Sequence, residues 1–246
     1  MNNAAAHVGT ADLHMHTTAS DGFAPVDVAL DYIAQFKSLD VVAITDHDEI
    51  DASLWAYRNR DRYPFDIVPG LEVSSRDGHV LALWVTQPIA RDMSLEETVA
   101  AIHDHGGLAI LAHPFEFFIH RQVSWHYLMQ PDVIPQAKVD ALEVHNGGAF
   151  SPFANQIARR TARKLGMPQV SNSDAHSPAA VGCCITRFNG KSALDLRQAI
   201  TNGETLAEKG RRWPLMDYWK LLPGTALRKL KLTTETRTPS PEAVGD

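Results

Sequence analysis

Nine side chains able to bind a metal ion, all His, Asp or Glu, stand at the ends of short apolar runs. They are His14 and His16 in ADLHMH, Asp21 in ASDG, His47 in ITDHD, Glu72 and His79 in GLEVSSRDGH, His113 in ILAHP, and Asp174 and His176 in SNSDAH. Imidazole and carboxylate without a thiolate suit Zn, Mn or Fe, and a carboxylate can bridge two ions. Nine ligands exceed what one ion uses, so two or three divalent ions are expected. Such clusters serve hydrolysis at phosphorus or carbonyl centres.

Spacing sharpens this reading. His14 and His16 lie two apart on an expected strand, so both leave the same face and can chelate one ion. Asp174 and His176 repeat that spacing, with Asn172 and Ser173 as neighbouring hydrogen-bonding groups. A carboxylate at Glu72, inside an apolar run, is costly to bury unless cations surround it, which makes bridging its most economical role. Asp46 and Asp48 flank His47 and are read as orienting its ring or capping the helix that follows. Glu143 is left open between a direct ligand and a partner of one, with His145 and Asn146 as pocket wall. His103 and His105 are explained by a helix C-terminus. His120 and Arg121 fall in an irregular, aromatic-rich stretch at 115–137, expected to form a loop over the site.

Strand-like runs at 11–15, 41–45, 67–73, 79–85, 108–112, 139–144, 169–172 and 182–186 alternate with helical periodicity at 25–37, 51–60, 94–105, 152–165 and 192–201. This βα alternation predicts a parallel sheet covered by helices. Nearly every ligand falls at the carboxyl end of a different strand, and in a closed barrel those ends converge on one face. His79 instead begins its run, so that strand is expected to run antiparallel or its loop to fold inward.

The chain of 246 residues fits one large α/β domain, and its net charge of −6 disfavours a general nucleic-acid surface, duplexes above all. Cys183 and Cys184 are adjacent in an apolar run, offering neither a disulfide framework nor a CxxC site, and are read as buried strand residues. No basic segment followed by an apolar one opens the sequence and no run approaches a membrane span, so a cytoplasmic setting is expected. Composition shifts after residue 204: residues 205–246 carry eight Lys/Arg against five Asp/Glu, a balance of +3 against −9 elsewhere. The expected division is therefore a catalytic domain over 1–204 and a helical C-terminal appendage with a disordered tail over 205–246. Its basic and aromatic residues suit packing on the domain, with RNA or anionic lipid as the other partners of that chemistry.

Taken in order, HMHTTASDG, ITDHD, GLEVSS followed by His79, LAHP and NSDAH match the motifs of the PHP family, the polymerase and histidinol phosphatase superfamily, which the chain resembles over residues 11–188. The resemblance implies a distorted TIM-like (β/α)7 barrel and a trinuclear site. One ion would fall to His14, His16, Glu72 and Asp174, a second to Glu72, His79 and His113, and a third to Asp21, His47 and His176. Some members carry an insertion between the positions of His79 and His113; only 33 residues separate them here, so a cap built by that insertion is not expected. The activity implied is phosphoester hydrolysis of a small metabolite or nucleotide. Arg121 or Arg76 would neutralise phosphoryl oxygens, and His145 or His120 would donate a proton to the leaving group. Alternatives are an exonuclease on short oligonucleotides, a metal-dependent amidohydrolase and a non-catalytic metal-binding module. Amidohydrolysis typically wants a bridging carboxylated lysine, and Glu72 stands in that role here.

Overall fold

The computed structural model describes residues 8–118, 120–151 and 153–213. Ten strands form two five-stranded sheets. The first sheet has the order β10-β9-β1-β2-β3, from Leu206–Ala207, Thr186–Asn189, Val8–Asp12, Val41–Ala43 and Asp66–Val68. The second runs β4-β5-β6-β7-β8, from Gly70–Ser75, Gly78–Leu83, Leu108–Leu111, Ala141–Asn146 and Gln169–Asn172. Parallel pairs β1/β2/β3 and β6/β7/β8 carry the βα repeats, whereas β5 runs antiparallel to both neighbours, the first of the two arrangements expected from the position of His79. Strands β2 and β6 are buried along their whole length, the pattern of strands covered on both faces.

Helices α1 (Val26–Phe36), α2 (Asp51–Arg58), α3 (Leu95–Asp104), α6 (Ala154–Leu165) and α7 (Ala193–Asn202) occupy the stretches where periodicity placed them. Ser94 with Glu97 and Ser192 with Asp195 form capping boxes that start α3 and α7. Gly166 and Gly203, at φ +66° and +71°, end α6 and α7 in the left-handed region that glycine tolerates best. One apolar cluster draws on both sheets and α7, including Ala11, Val41, Val68, Ile110, Val170 and Ile200. A second fills the outside of β4–β8, where Val99 and Ile102 of α3 and Ala158 and Ala162 of α6 pack.

The chain departs from its sequence pattern at three places. The run 67–73 is two strands, because Pro69 has no N–H to continue a ladder: β3 pairs with β2, and β4 pairs with β5 in the other sheet. The run 182–186 is a turn, with Gly182 at φ +75° donating its N–H to Asp12, and the strand begins only at Thr186. Neither cysteine therefore lies in a strand; both are free, Cys184 buried and Cys183 half-buried. Finally, the stretch expected as a loop holds two helical segments, α4 (Arg121–Met129) and the single turn α5 (Val133–Gln136). Pro135 fits inside that turn because N–H groups of a helix's first turn have no partner within the helix. Phe115, Tyr127 and Ile134 are buried there, and the Tyr127 hydroxyl donates to the Asp77 carbonyl.

The compact unit extends through Trp213, nine residues beyond the shift in composition, because β10 pairs with β9 and continues into the strap 208–213. The expected disordered tail and the rest of the appendage lie outside the described residues. No helix among the described residues is long and apolar enough to cross a membrane.

Gly107 shows how closely the helices seat. A Cβ there would stand 2.6 Å from Val85 Cγ1 and 2.8 Å from the Leu83 carbonyl oxygen. Gly107→Ala is expected to lower unfolding free energy by about 1–3 kcal/mol through overpacking, read by urea denaturation. An unchanged midpoint would mean that α3 moves away freely.

Candidate metal centre

The two sheets touch at two isolated parallel bridges, Met15 with Ala175 and His47 with Glu72, and both bridges lie among the candidate ligands. Past β1, the extended 13–16 segment bonds Ala175 on one side and Thr45 on the other, so His14 and His16 enter the same space. His47 arrives from the end of β2, His113 from the end of β6, and Asp174 with His176 from the end of β8. His79 enters from the start of antiparallel β5, where Ser74 faces it across the ladder and Glu72 lies two residues along the same face. Asp21 comes from the turn 17–22.

All nine residues belong to groups whose donor atoms lie within 4.8 Å of one another. At their middle is Glu72, fully buried. Its Oε2 is 3.2 Å from His14 Nε2, 3.3 Å from His16 Nε2 and 3.1 Å from His47 Nδ1. Its Oε1 is 2.9 Å from His79 Nδ1 and 3.1 Å from His113 Nε2. Asp174 Oδ1 lies 3.1 Å from His16 Nε2 and 3.4 Å from His14 Nε2. Asp21 lies 3.3 Å from His176 Nε2 and 3.8 Å from His47 Nε2.

Contact distance here does not mean hydrogen bonding. His14 Nε2, Glu72 Oε2 and His79 Nδ1 are buried and make no hydrogen bond, although oppositely charged atoms stand beside them. Buried polar atoms are rarely left so, and the exceptions mark sites for an ion or a reaction. The donor set, rich in imidazole and carboxylate, therefore fits divalent metals of the Mn, Fe and Zn group.

Electrostatics divide the cluster. Burial would raise the Glu72 carboxyl, but attraction to His47, His14 and His79 outweighs it and holds the group well below the usual carboxylate range. Asp174 and Asp21 are likewise carried down against burial, by His14 and His16 at the first and by His176 at the second. Burial pulls His113 down, yet the carboxylates of Glu72, Asp174 and Glu143 raise it to about 9. His47 and His120 go the other way: burial and neighbouring imidazoles push each to about 3.

Other buried groups aim the ligands. Glu143 Oε1 is 3.1 Å from His14 Nδ1, leaving Nε2 for the cluster, while Oε2 accepts from the His113 amide and the Asn146 side chain. Glu143 thus bonds candidate ligands and belongs to none of the donor groups. Asp46 neither caps α2 nor touches His47; it accepts from Thr17 N, Thr17 Oγ1 and Ser20 Oγ and so fixes the turn carrying Asp21. Asp48 accepts from Ser74 N, tying β4 to the end of β2. His113 and Asp174 have φ of +26° and +52°, backbone conformations that persist only where surroundings enforce them and that gather at functional sites.

The residues expected to assist chemistry are placed differently. His120 packs its ring 4.4 Å from His79 and joins His79 and His113 as a third donor, with Nε2 buried and unbonded. His145, half-buried, lines a separate cavity beside α6, because the bulge between Glu143 and His145 turns Asn146 towards Asp174 instead. Arg121 is exposed at the start of α4, and Arg76 is exposed and paired with Glu97. Trp213 was not anticipated. It is buried, its Nε1 donates to the Ser173 carbonyl at 2.7 Å, and its ring lies 5.0 Å from that of His176. Gly148 allows this approach, since a Cβ there would meet the indole at 2.7 Å. The only signal was one Trp in the basic segment RRWP.

Comparison with known proteins bears on the fold and its family. The PHP-associated family, PHP_C, matches residues 152–205. This match supports the resemblance to the PHP family that the motifs carry. An uncharacterised protein of Methanocaldococcus jannaschii is 34% identical over 83 residues, covering 34% of this chain and 48% of that one, so the match spans about half of the relative. Among solved structures, the PHP fold recurs in a two-domain protein from Bacteroides vulgatus containing a predicted PHP-like metal-dependent phosphoesterase. The TM-score is 0.69 at 17% identity, covering 83% of this chain and 66% of that one. A lesion-specific endonuclease from Pyrococcus furiosus superposes with a TM-score of 0.58 at 22% identity, over 80% of this chain and 56% of that one.

Proposed function

We propose that this protein is a metal-dependent phosphoesterase that hydrolyses phosphate esters of a small metabolite or nucleotide. The carrying observation is Glu72, a fully buried carboxylate against five imidazoles, with donor atoms of the group left unbonded. The ligand sets are the three that the family resemblance implies, with Glu72 shared between two; His120 is added beside His79 and His113 on the strength of its buried, unbonded Nε2. The bridges at both seams between the sheets support the distorted barrel that would bring these sets together.

Divalent ions held there supply Lewis acidity and lower the pKa of water. The protein's part is to present neutral imidazole and ionised carboxylate in fixed orientation. Burial keeps His47 and His120 neutral, so their ring lone pairs stay available, and the imidazoles keep Glu72, Asp21 and Asp174 ionised. Glu143 and Asn172 lock the His14 side of the cluster, and Trp213 excludes water from the His176 side. Glu72 stands in the bridging role for which amidohydrolysis typically wants a carboxylated lysine, which weighs against that reading.

Cleavage of short oligonucleotides is the second reading, favoured by the likeness of fold to the endonuclease. Elemental analysis, with turnover on phosphomonoesters, phosphodiesters and oligonucleotides, tests both. The wild-type protein is expected to hold two or three divalent ions and cleave one ester class. His14→Ala is expected to lower kcat/KM by at least about 100-fold while remaining folded. Full activity in a folded His14→Ala protein would sink the proposal.

A further inference from the structure

A cavity of about 630 Å³ lies on the α6 side of β7, apart from the metal centre. That is the size of a small-ligand pocket. Arg159, Arg160 and Arg163 line it from one face of α6, at i, i+1 and i+4, and Lys209 and Arg212 face them from the strap. None of the five makes an ion pair among the described residues. Arg159 is only part-exposed, and its Nη2 is buried without a hydrogen-bond partner. Like charges at helix spacings repel. Five of them gathered in one concavity, on a chain of net charge −6, leave a strongly positive hollow that nothing in the described protein neutralises. The field reaches the cavity wall: burial lowers His145, and Arg159, Lys209 and Arg212 lower it further.

Guanidinium groups match phosphate oxygens two at a time, which distinguishes this hollow from a general cation patch. At its rim Phe153 is 65% exposed, an aromatic face of the kind on which a base stacks. Gln156 adds an amide group of the kind that bonds heterocycle edges. We infer that this cavity is a second phosphate site, which binds a nucleoside diphosphate through Arg159, Arg163, Lys209 and Arg212 with the base against Phe153. It needs no metal and does not depend on the phosphoesterase reading. It adjoins the metal centre through two short connections. Asn155 bonds both backbone groups of Asn146, whose amide reaches Asp174, and Arg212 precedes Trp213, which packs on His176.

The test is ADP binding to the full chain by calorimetry, with divalent ions removed by chelator. Wild type is expected to bind ADP, with pyrophosphate competing, adenosine failing to compete, and affinity falling as salt rises. The pair Arg159→Gln/Arg163→Gln and, independently, Lys209→Gln/Arg212→Gln should each weaken binding about tenfold or more. Each pair is first checked for a native melting profile, and the second serves if the first fails to fold. His14→Ala should bind ADP as wild type does. Absence of ADP binding to wild type, or failure of pyrophosphate to compete, overturns the inference. So does wild-type affinity in either folded pair, or loss of binding in His14→Ala, which would put the phosphate at the metal centre instead.

Discussion

Glu72→Gln is expected to remove metal-dependent turnover, lowering kcat/KM by about 10²–10³-fold or more, and to lower the divalent metal retained by the protein. The substitution preserves volume, so the cause is charge and bonding alone. Glu72 is fully buried with both oxygens within 3.3 Å of imidazole nitrogens from five different positions. A neutral amide offers one acceptor instead of two and turns an NH2 towards atoms that must accept no donor if they are to bind a cation. The imidazoles also lose the carboxylate that counters their mutual repulsion, since burial already disfavours the charged ring at each of His14, His47 and His113. Excess metal should not restore activity, because a shared ligand is missing from two sets at once. Wild-type metal content and turnover in Glu72→Gln would show that the carboxylate bridges nothing.

Glu143→Gln should act differently. Its carboxylate bonds His14 Nδ1, the His113 amide, the Asn146 side chain and the Asn172 side chain at 2.9–3.1 Å, all out of water. At least three of these partners are N–H donors, so an amide NH2 must face a donor and leave it unsatisfied. The expected result is a 10–100-fold loss of metal affinity, as for other groups that orient a ligand, with about 1–3 kcal/mol lost from the stability of the metal-free protein. Here activity should return at raised metal concentration, because every proposed ligand is still present. Metal titration and urea unfolding measure the two effects. Failure of excess metal to rescue would promote Glu143 from an orienting group to a ligand.

These two glutamates show how differently sequence and structure speak. Glu72 was legible because a lone carboxylate in an apolar run has few affordable explanations, and in the fold five imidazoles surround it. The same reasoning could not decide Glu143, which sits in an equally apolar run. The difference lies in which nitrogen of His14 each carboxylate meets, and that depends on the pairing of β7 with β8. His79 was legible in part, since a ligand at the start of a run reaches the shared face from an antiparallel strand or an inward-folding loop, and the pairing of β5 gives the first. The boundary at Pro69 was present in the residues too, but the apolar run continued across it and masked a change of sheet.

His145 and His120, both expected at the site, are separated for reasons no spacing contains. A bulge in β7 sends His145 outward to α6 and brings Asn146 in. His120 is carried to His79 by the order that Phe115, Tyr127 and Ile134 impose on a stretch whose prolines and aromatics resembled a loop. Trp213 and the cations of the strap came from a segment that composition assigned to an appendage, yet β10 adds to the edge of a sheet by backbone hydrogen bonds that are indifferent to side-chain charge.

The sequence by itself determined the ligand types, the βα repeat and hence one face where ligands could meet, because these follow from chemistry and from periods of two and 3.6 residues. Tertiary structure alone decided which groups meet in the cluster, which bond to them from outside it, and where five cations without an ion pair among the described residues gather beside α6. Those outcomes depend on strand register, a single bulge and the path of a six-residue strap, none of which has a periodic signature in the chain.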